Sequence, residues 1–123
     1  MKVLKFGGTS VGTVESLRHV KRIVEECDEQ VIVVVSALGG ITDLLISTAH
    51  QASSGDITYM QNYAKIVERH INVINGIVPQ VKINAVRKTI DMLLEELGNI
   101  YRGVSLIKDL SSRTLDIIVS YGE

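Results

Sequence analysis

A chain of 123 residues supports one domain with a real core. Hydrophobic residues make up 46% and charged residues 22%, and a net charge of -1 gives no reason to invoke nucleic acid or an anionic membrane as a partner. Only 4% of residues are aromatic, too few for a base-stacking platform, and no apolar run approaches the ~20 residues that span a bilayer.

Lys2 to Gly12, KVLKFGGTSVG, opens as a strand and closes as a glycine turn. Val3, Leu4 and Phe6 supply β-prone apolar content, which Lys5 interrupts with a charge. With Lys2, Lys5 also breaks any signal-peptide core, and a cytoplasmic location is the expectation. Gly7 and Gly8 follow, then Thr9 and Ser10. Adjacent glycines allow a sharp turn and bring backbone N–H groups close to an anion. The helical pattern that starts next aims a helix N-terminus the same way. A lysine two residues ahead of such a loop suits phosphate chemistry, as a point charge on transferring oxygens. A surface lysine beside an ordinary strand–helix turn has the same short signature. The string is neither G-x-x-x-x-G-K-[ST] nor G-x-G-x-x-G.

Val14, Leu17, Val20, Ile23, Val24 and Cys27 then repeat at helical spacing. Thr13 stands as the N-cap and Glu15 in the first turn, and this helix is expected to end near Asp28. Cys27 is the one cysteine, so no internal disulfide forms, in keeping with a reducing compartment. Val31 to Val35, VIVVV, predicts a parallel strand buried on both faces. Residues 2–36 thus form a β–α–β unit. Ser36-Ala37-Leu38-Gly39-Gly40 is a second glycine loop. Ile41, Leu44, Leu45, Thr48, Ala49 and Ala52 mark a second helix, which Ser53-Ser54-Gly55 stops. The loops after two parallel strands share one carboxyl edge, where open α/β sheets bind ligands.

From Thr58 the pattern is helical, with a stripe of Tyr59, Tyr63, Ile66, Val67, Ile74 and Ile77 that Pro79 breaks. Val86, Ile90, Leu93, Leu94 and Leu97 form the second arm of a helical hairpin, expected to end near Tyr101 between Gly98 and Gly103. Ser111 or Ser112 caps a last helix, with Leu115, Ile118 and Val119 inward, that runs into Tyr121-Gly122-Glu123. No repeat, low-complexity tract or linker interrupts the chain. The fold class is α/β, but two strands do not make a stable open α/β domain. The expectation is therefore the N-terminal piece of something longer.

Ser36 ends a strand at the ligand-binding edge; its hydroxyl can hold a substrate or bond to loop backbone. Thr42, ahead of Asp43 and the helix stripe, has the place of an N-cap or of a ligand hydroxyl near an anion-friendly helix end. Glu123 has the plain reading of a solvated terminal residue. His19, His50 and His70 lack any metal-ligand rhythm, so no metal site is expected. The lysines and arginines of 58–101 are taken as solvated helix faces.

As a whole string, LKFGGTSVG resembles the opening of aspartokinases, within the amino acid kinase family. Ser36-Ala37 followed by Gly40-Ile41-Thr42-Asp43-Leu44-Leu45 resembles the second aspartokinase motif, a serine followed six residues later by threonine. Ser120-Tyr121-Gly122-Glu123 resembles the third, a Gly-Glu pair on a helix. The stretch from Arg102-Gly103-Val104-Ser105-Leu106 to Gly122-Glu123 is similar in particular to the bifunctional aspartokinase–homoserine dehydrogenases. The resemblance covers essentially the whole chain. It implies the three-layer α/β/α amino acid kinase fold, with residues 1–123 as its N-terminal, aspartate-binding part. It also implies that Lys5 stabilises the phosphoryl group in transfer, and that Gly7 and Gly8, with Thr9 and Ser10, bind phosphate. By the same resemblance Ser36 and Thr42 contact aspartate, and Glu123 binds its amino group. ATP with Mg2+, aspartate as small-molecule partner and a homo-oligomer come with it. The family's nucleotide lobe, a later aspartate-binding arginine, the acidic residue that orients the lysine and the regulatory ACT domains have no counterpart in these residues. The chain by itself is expected to be inactive.

Two other readings stand beside this one. Another amino acid kinase, acting on glutamate or carbamate, keeps the fold, though Gly-Ile-Thr-Asp and Gly-Glu argue against it. A non-catalytic helical interaction module would rest on the 58–101 hairpin.

Overall fold

Two strands, β1 (Lys2–Phe6) and β2 (Val31–Val35), pair in parallel, with Lys2 opposite Val31 and Phe6 opposite Val35. The computed structural model describes residues 1–123 throughout. Between the strands runs α1 (Val14–Glu25). Its entry is a reciprocal capping box: the Ser16 amide donates to Thr13 Oγ1 at 3.1 Å, and the Thr13 amide donates to Ser16 Oγ at 3.0 Å. The helix stops at Glu25 rather than near Asp28, and Cys27 lies just past it, half-buried, with Sγ donating to the Ile23 carbonyl. Four helices follow: α2 (Ile41–Ser53), α3 (Tyr59–Ile77), α4 (Gln80–Ile107) and α5 (Ser112–Ser120), the last capped by Ser111. No helix is long and apolar enough to cross a membrane.

The core is built by the helices. Ile41, Leu45, Ala49 and Ala52 of α2 meet Tyr59 and Ile66 of α3, Leu94, Leu97, Tyr101 and Val104 of α4, and Ile118 of α5. Tyr101 is the largest fully buried side chain. Its hydroxyl donates to the Leu45 carbonyl at 2.9 Å, which satisfies a polar atom that would otherwise be costly there. Burial raises its phenol far above the usual tyrosine range. The ring of Tyr63 packs edge-on against it at 6.2 Å, with its own hydroxyl donating to the Leu94 carbonyl at 2.6 Å.

Two expectations are corrected here. The fourth helix does not end near Tyr101; it runs on to Ile107 and closes on Lys108 in the left-handed conformation. Gly98 marks close packing instead of a stop, since a Cβ there would lie 2.8 Å from the Tyr63 hydroxyl oxygen. The added length carries Val104 into the core beside Tyr101. The second correction concerns β2, expected to be buried. Ile32, Val33, Val34 and Val35 are each 40–48% exposed, and neither strand contributes a buried residue. The helices close on one another, while the two-stranded sheet has no further strand beside it.

Candidate functional site

The loops that follow β1 and β2 touch. A Cβ added to Gly39 would fall 2.9 Å from the Gly8 carbonyl oxygen and 3.2 Å from Gly12 Cα, so only glycine lets the two loops approach this closely. Buried Val11 and Ala37 anchor one loop each. The Ser36 amide donates to the Phe6 carbonyl at 3.2 Å, carrying the strand pairing up to the mouth of the site. In the first loop Ser10 donates its amide to the Gly7 carbonyl at 3.0 Å, and in the second Ile41 donates to Leu38 at 2.9 Å. The amides of Gly7, Gly8, Thr9, Leu38 and Gly39 are not spent on hydrogen bonds within the chain. The N-termini of α1 and α2 begin at Thr13 and Gly40, directly behind these loops. Free N–H groups and two positive helix ends favour an anion at this edge.

Lys5 lies in register with Val34, is exposed, and joins none of the ion pairs. Strand alternation puts it on the face opposite Phe6, which shares a cavity with α1 residues Val20 and Ile23. Gly7 has open space where a Cβ would stand, and the corresponding point on Gly8 is 3.8 Å from Ser36 Oγ. Neither glycine has a positive φ; the turn is made in ordinary backbone, and what their missing side chains leave is room. Thr9 is exposed, whereas Ser10 lines the cavity against α1.

Ser36 Oγ donates to the Ala37 carbonyl at 3.1 Å and keeps its lone pairs free. Thr42 is not the cap of α2. That position is held by Gly40, whose φ of 81° favours glycine, and Thr42 sits in the first turn, half-buried. At the other end of the chain Gly122 packs against the second loop: a Cβ there would lie 2.8 Å from Leu45 Cδ1 and 3.4 Å from Ala37 Cβ. Gly122 and Ser36 line one cleft, together with Leu38 and His70. Glu123 lines the adjoining cleft, with Leu93, Glu96 and Tyr121. The Tyr121 hydroxyl donates to Glu96 Oε2 at 3.0 Å, which raises its phenol pKa. The structure therefore brings Gly8, Ser36 and Gly122 together, with Thr42 in the first turn of α2 and Glu123 in a separate cleft. No three His, Cys, Asp or Glu side chains gather as a metal site.

Two residues were given no site role by the sequence. Arg69, grouped with the solvated cations of 58–101, instead reaches back to both loops: its Nη2 donates to the Gly12 carbonyl at 3.2 Å and to the Gly39 carbonyl at 2.9 Å. His70 places Nδ1 2.7 Å from the Ile66 carbonyl, which can only accept, so Nδ1 carries the proton of that bond. The signal was their place on the α3 stripe: Arg69 and His70 stand about one turn beyond buried Ile66, and His70 one turn before buried Ile74.

The model of the amino acid kinase family matches residues 1–122. The chain belongs to the amino acid kinase family. Within that family its relatives are aspartokinases. The chloroplastic aspartokinase 2 of Arabidopsis thaliana is 30% identical over 98% of this chain and 22% of its own length. The bifunctional aspartokinase/homoserine dehydrogenase of Buchnera aphidicola is 33% identical over 100% of this chain and 16% of its own. Among solved structures, E. coli aspartokinase III in complex with aspartate and ADP superposes with a TM-score of 0.84 at 28% identity, covering all of this chain and 26% of that one. This amino acid kinase sequence therefore spans about a fifth of the length of the curated relatives it matches. The likeness bears out the α/β fold class and its helix-rich N-terminal portion.

Proposed function

We propose that residues 1–123 are the N-terminal, aspartate-binding part of an aspartate kinase catalytic domain. The enzyme carrying this segment would transfer the γ-phosphoryl group of ATP to the β-carboxylate of aspartate, as the entry step to lysine, threonine and methionine. The observation that carries this reading is the contact of two loops at one sheet edge, Gly39 against Gly8, with Ser36 facing the gap. It is supported by matches to aspartokinases along the whole chain and by a neighbour whose name records aspartate and ADP.

In this reading a carboxylate oxygen of aspartate attacks the γ-phosphorus, the bond to the bridging oxygen breaks, and ADP leaves. The acceptor is already an anion, so no strong general base is required. The work is positioning and charge neutralisation. Lys5 offsets charge on the transferring oxygens, and the amides of Gly7 and Gly8, with Thr9, hold phosphate. Ser10, lining the cavity against α1, shapes the turn from behind. The hydroxyls of Ser36 and Thr42 bind aspartate, and Glu123 binds its ammonium. Mg2+ would arrive with the ATP phosphates and neutralise part of their charge. A homo-oligomer belongs to the same reading. So does a cytoplasmic setting, although the Arabidopsis relative is named chloroplastic.

The test is acceptor specificity in the complete polypeptide that carries this segment. Trapping of the acyl phosphate with hydroxylamine is expected with aspartate and ATP, and not with glutamate or carbamate. A preference for glutamate would keep the family and replace the substrate.

A further inference from the structure

We infer that Arg69 is a positioning residue of this site, a tie that sets the distance between the phosphate-handling loop and the aspartate-handling loop; the functional part of this inference rests on the aspartate kinase reading above. The guanidinium comes from α3, an element that supplies none of the assigned substrate contacts. Its Nη2 carries two protons, and the geometry gives one to each loop: the Gly12 carbonyl at 3.2 Å and the Gly39 carbonyl at 2.9 Å. The two acceptors are equivalent in the fold. Gly12 immediately precedes Thr13, the N-cap of α1, and Gly39 immediately precedes Gly40, the N-cap of α2. One planar group thus holds the entry points of both helices.

The Ser36–Phe6 bond joins the loops only at their strand ends, and at the helix entries no other polar contact joins them. The direct approach of the loops is van der Waals contact, Gly39 against Gly8 and Gly12, which resists compression but not separation. Arg69 appears in none of the ion pairs, so no carboxylate competes for it. It is half-buried, where bonds from a charged donor are strongest. A lysine offers a point charge instead of a rigid fork and reproduces the bridge only in part.

The consequence for the reaction is specific. Each loop keeps its own substrate contacts when Arg69 is removed, since Ser36 and Thr42 belong to one loop and its helix, and Gly7 and Gly8 to the other. What is lost is their relative placement. A displacement of ~1 Å between reacting groups costs on the order of 10²-fold in rate.

The experiment has two arms on Arg69→Met and Arg69→Lys. In the first, amide hydrogen exchange of this chain reads the tie without any catalysis. Ser10 and Ile41 are each bonded only within their own loop, to Gly7 and Leu38. Both are expected to exchange faster together in Arg69→Met, with the α4 amides around Leu97 unchanged. Unchanged exchange at either loop overturns the tie. In the second, kinetics of the complete enzyme, corrected for folded fraction, are expected to show kcat reduced 10- to 100-fold in Arg69→Met. KM for aspartate and ATP should stay within about threefold, and Arg69→Lys should recover part of the loss. A purely structural arginine would lower the melting temperature and leave kcat per folded enzyme at the wild-type value, which overturns the positioning role. If the wild-type enzyme does not phosphorylate aspartate at all, the aspartate kinase reading fails, and the exchange arm still decides whether Arg69 joins the loops.

Discussion

Lys5 is the residue on which the proposed chemistry turns, and its setting is simple: an exposed cation at the end of a strand, with no acidic partner. A charge that acts mainly on the transition state changes kcat more than substrate binding. Steady-state kinetics of Lys5→Ala in the complete enzyme are expected to show kcat lowered on the order of 10²–10³-fold with KM for aspartate little changed; activity within a few-fold of wild type would reduce Lys5 to a surface residue. Tyr101 makes a different kind of prediction. Its folded-state pKa is raised by burial above the unfolded value of about 10, so the folded state keeps a proton that the unfolded chain releases. Its contribution is complete below about pH 10 and is lost as pH climbs beyond it, at up to ~1.4 kcal/mol per pH unit for each such proton. Tyr63, raised first by burial and then by Glu95, adds in the same direction. Denaturant melts across pH 9 to 12 are expected to show this fall. In Tyr101→Phe it should be shallower, with about 1 kcal/mol lost at neutral pH from the missing bond to Leu45. Much at this scale was legible from type and spacing. The glycines at 7, 8 and 39 and the hydroxyl at 36 stand where strand ends put them. Arg69 was not legible, because an arginine on a helix reaches its partners through a long side chain whose end the sequence does not locate.

At the scale of elements, periodicity found every strand and helix, and Thr13, Pro79 and Ser111 marked their boundaries correctly. It failed where a residue type has two physical meanings. Glycine in a helix either ends it or makes room, and Gly98 makes room for Tyr63. Thr42 looked like a cap, but left-handed Gly40 takes that position two residues earlier. The two glycines of α4 separate the meanings experimentally. Gly103 has nothing within 4 Å of an added Cβ, so Gly103→Ala should raise stability by about 0.5–1 kcal/mol through helix propensity alone. Gly98→Ala gains the same propensity and drives a methyl into the Tyr63 ring, 2.8 Å from its oxygen and 2.9 Å from the carbon bearing it. That ring is pinned by Leu94 and packed edge-on against Tyr101, so it cannot give way cheaply. Thermal melts are expected to move in opposite directions for the two variants; a stabilised Gly98→Ala would mean the Tyr63 contact is slack.

For the whole molecule, the outcome that most changes the picture is the bare sheet. VIVVV was expected to be covered because a run of that composition belongs inside a parallel sheet. The composition was read correctly and the covering layers are what these 123 residues do not supply. A sequence states what a strand needs; whether the need is met depends on chain that lies elsewhere in the fold. Exposed valines on both faces and unpaired groups along a strand edge make a template for pairing. The isolated chain is therefore expected to self-associate, and light scattering at micromolar concentration should report a dimer or larger; a clean monomer that unfolds cooperatively would show that the helical core of α2 to α5 suffices. The same incompleteness bears on activity, since these residues correspond to about a fifth of the aspartokinases they match. The most direct measurement is the hydroxamate assay for aspartyl phosphate, run with ATP and aspartate on the 123-residue chain and on the complete polypeptide that contains it. No product is expected from the chain alone, and robust, Lys5-dependent product from the complete polypeptide; product from the chain alone would show that these residues carry catalysis by themselves, and none from the complete polypeptide would overturn the aspartate kinase assignment.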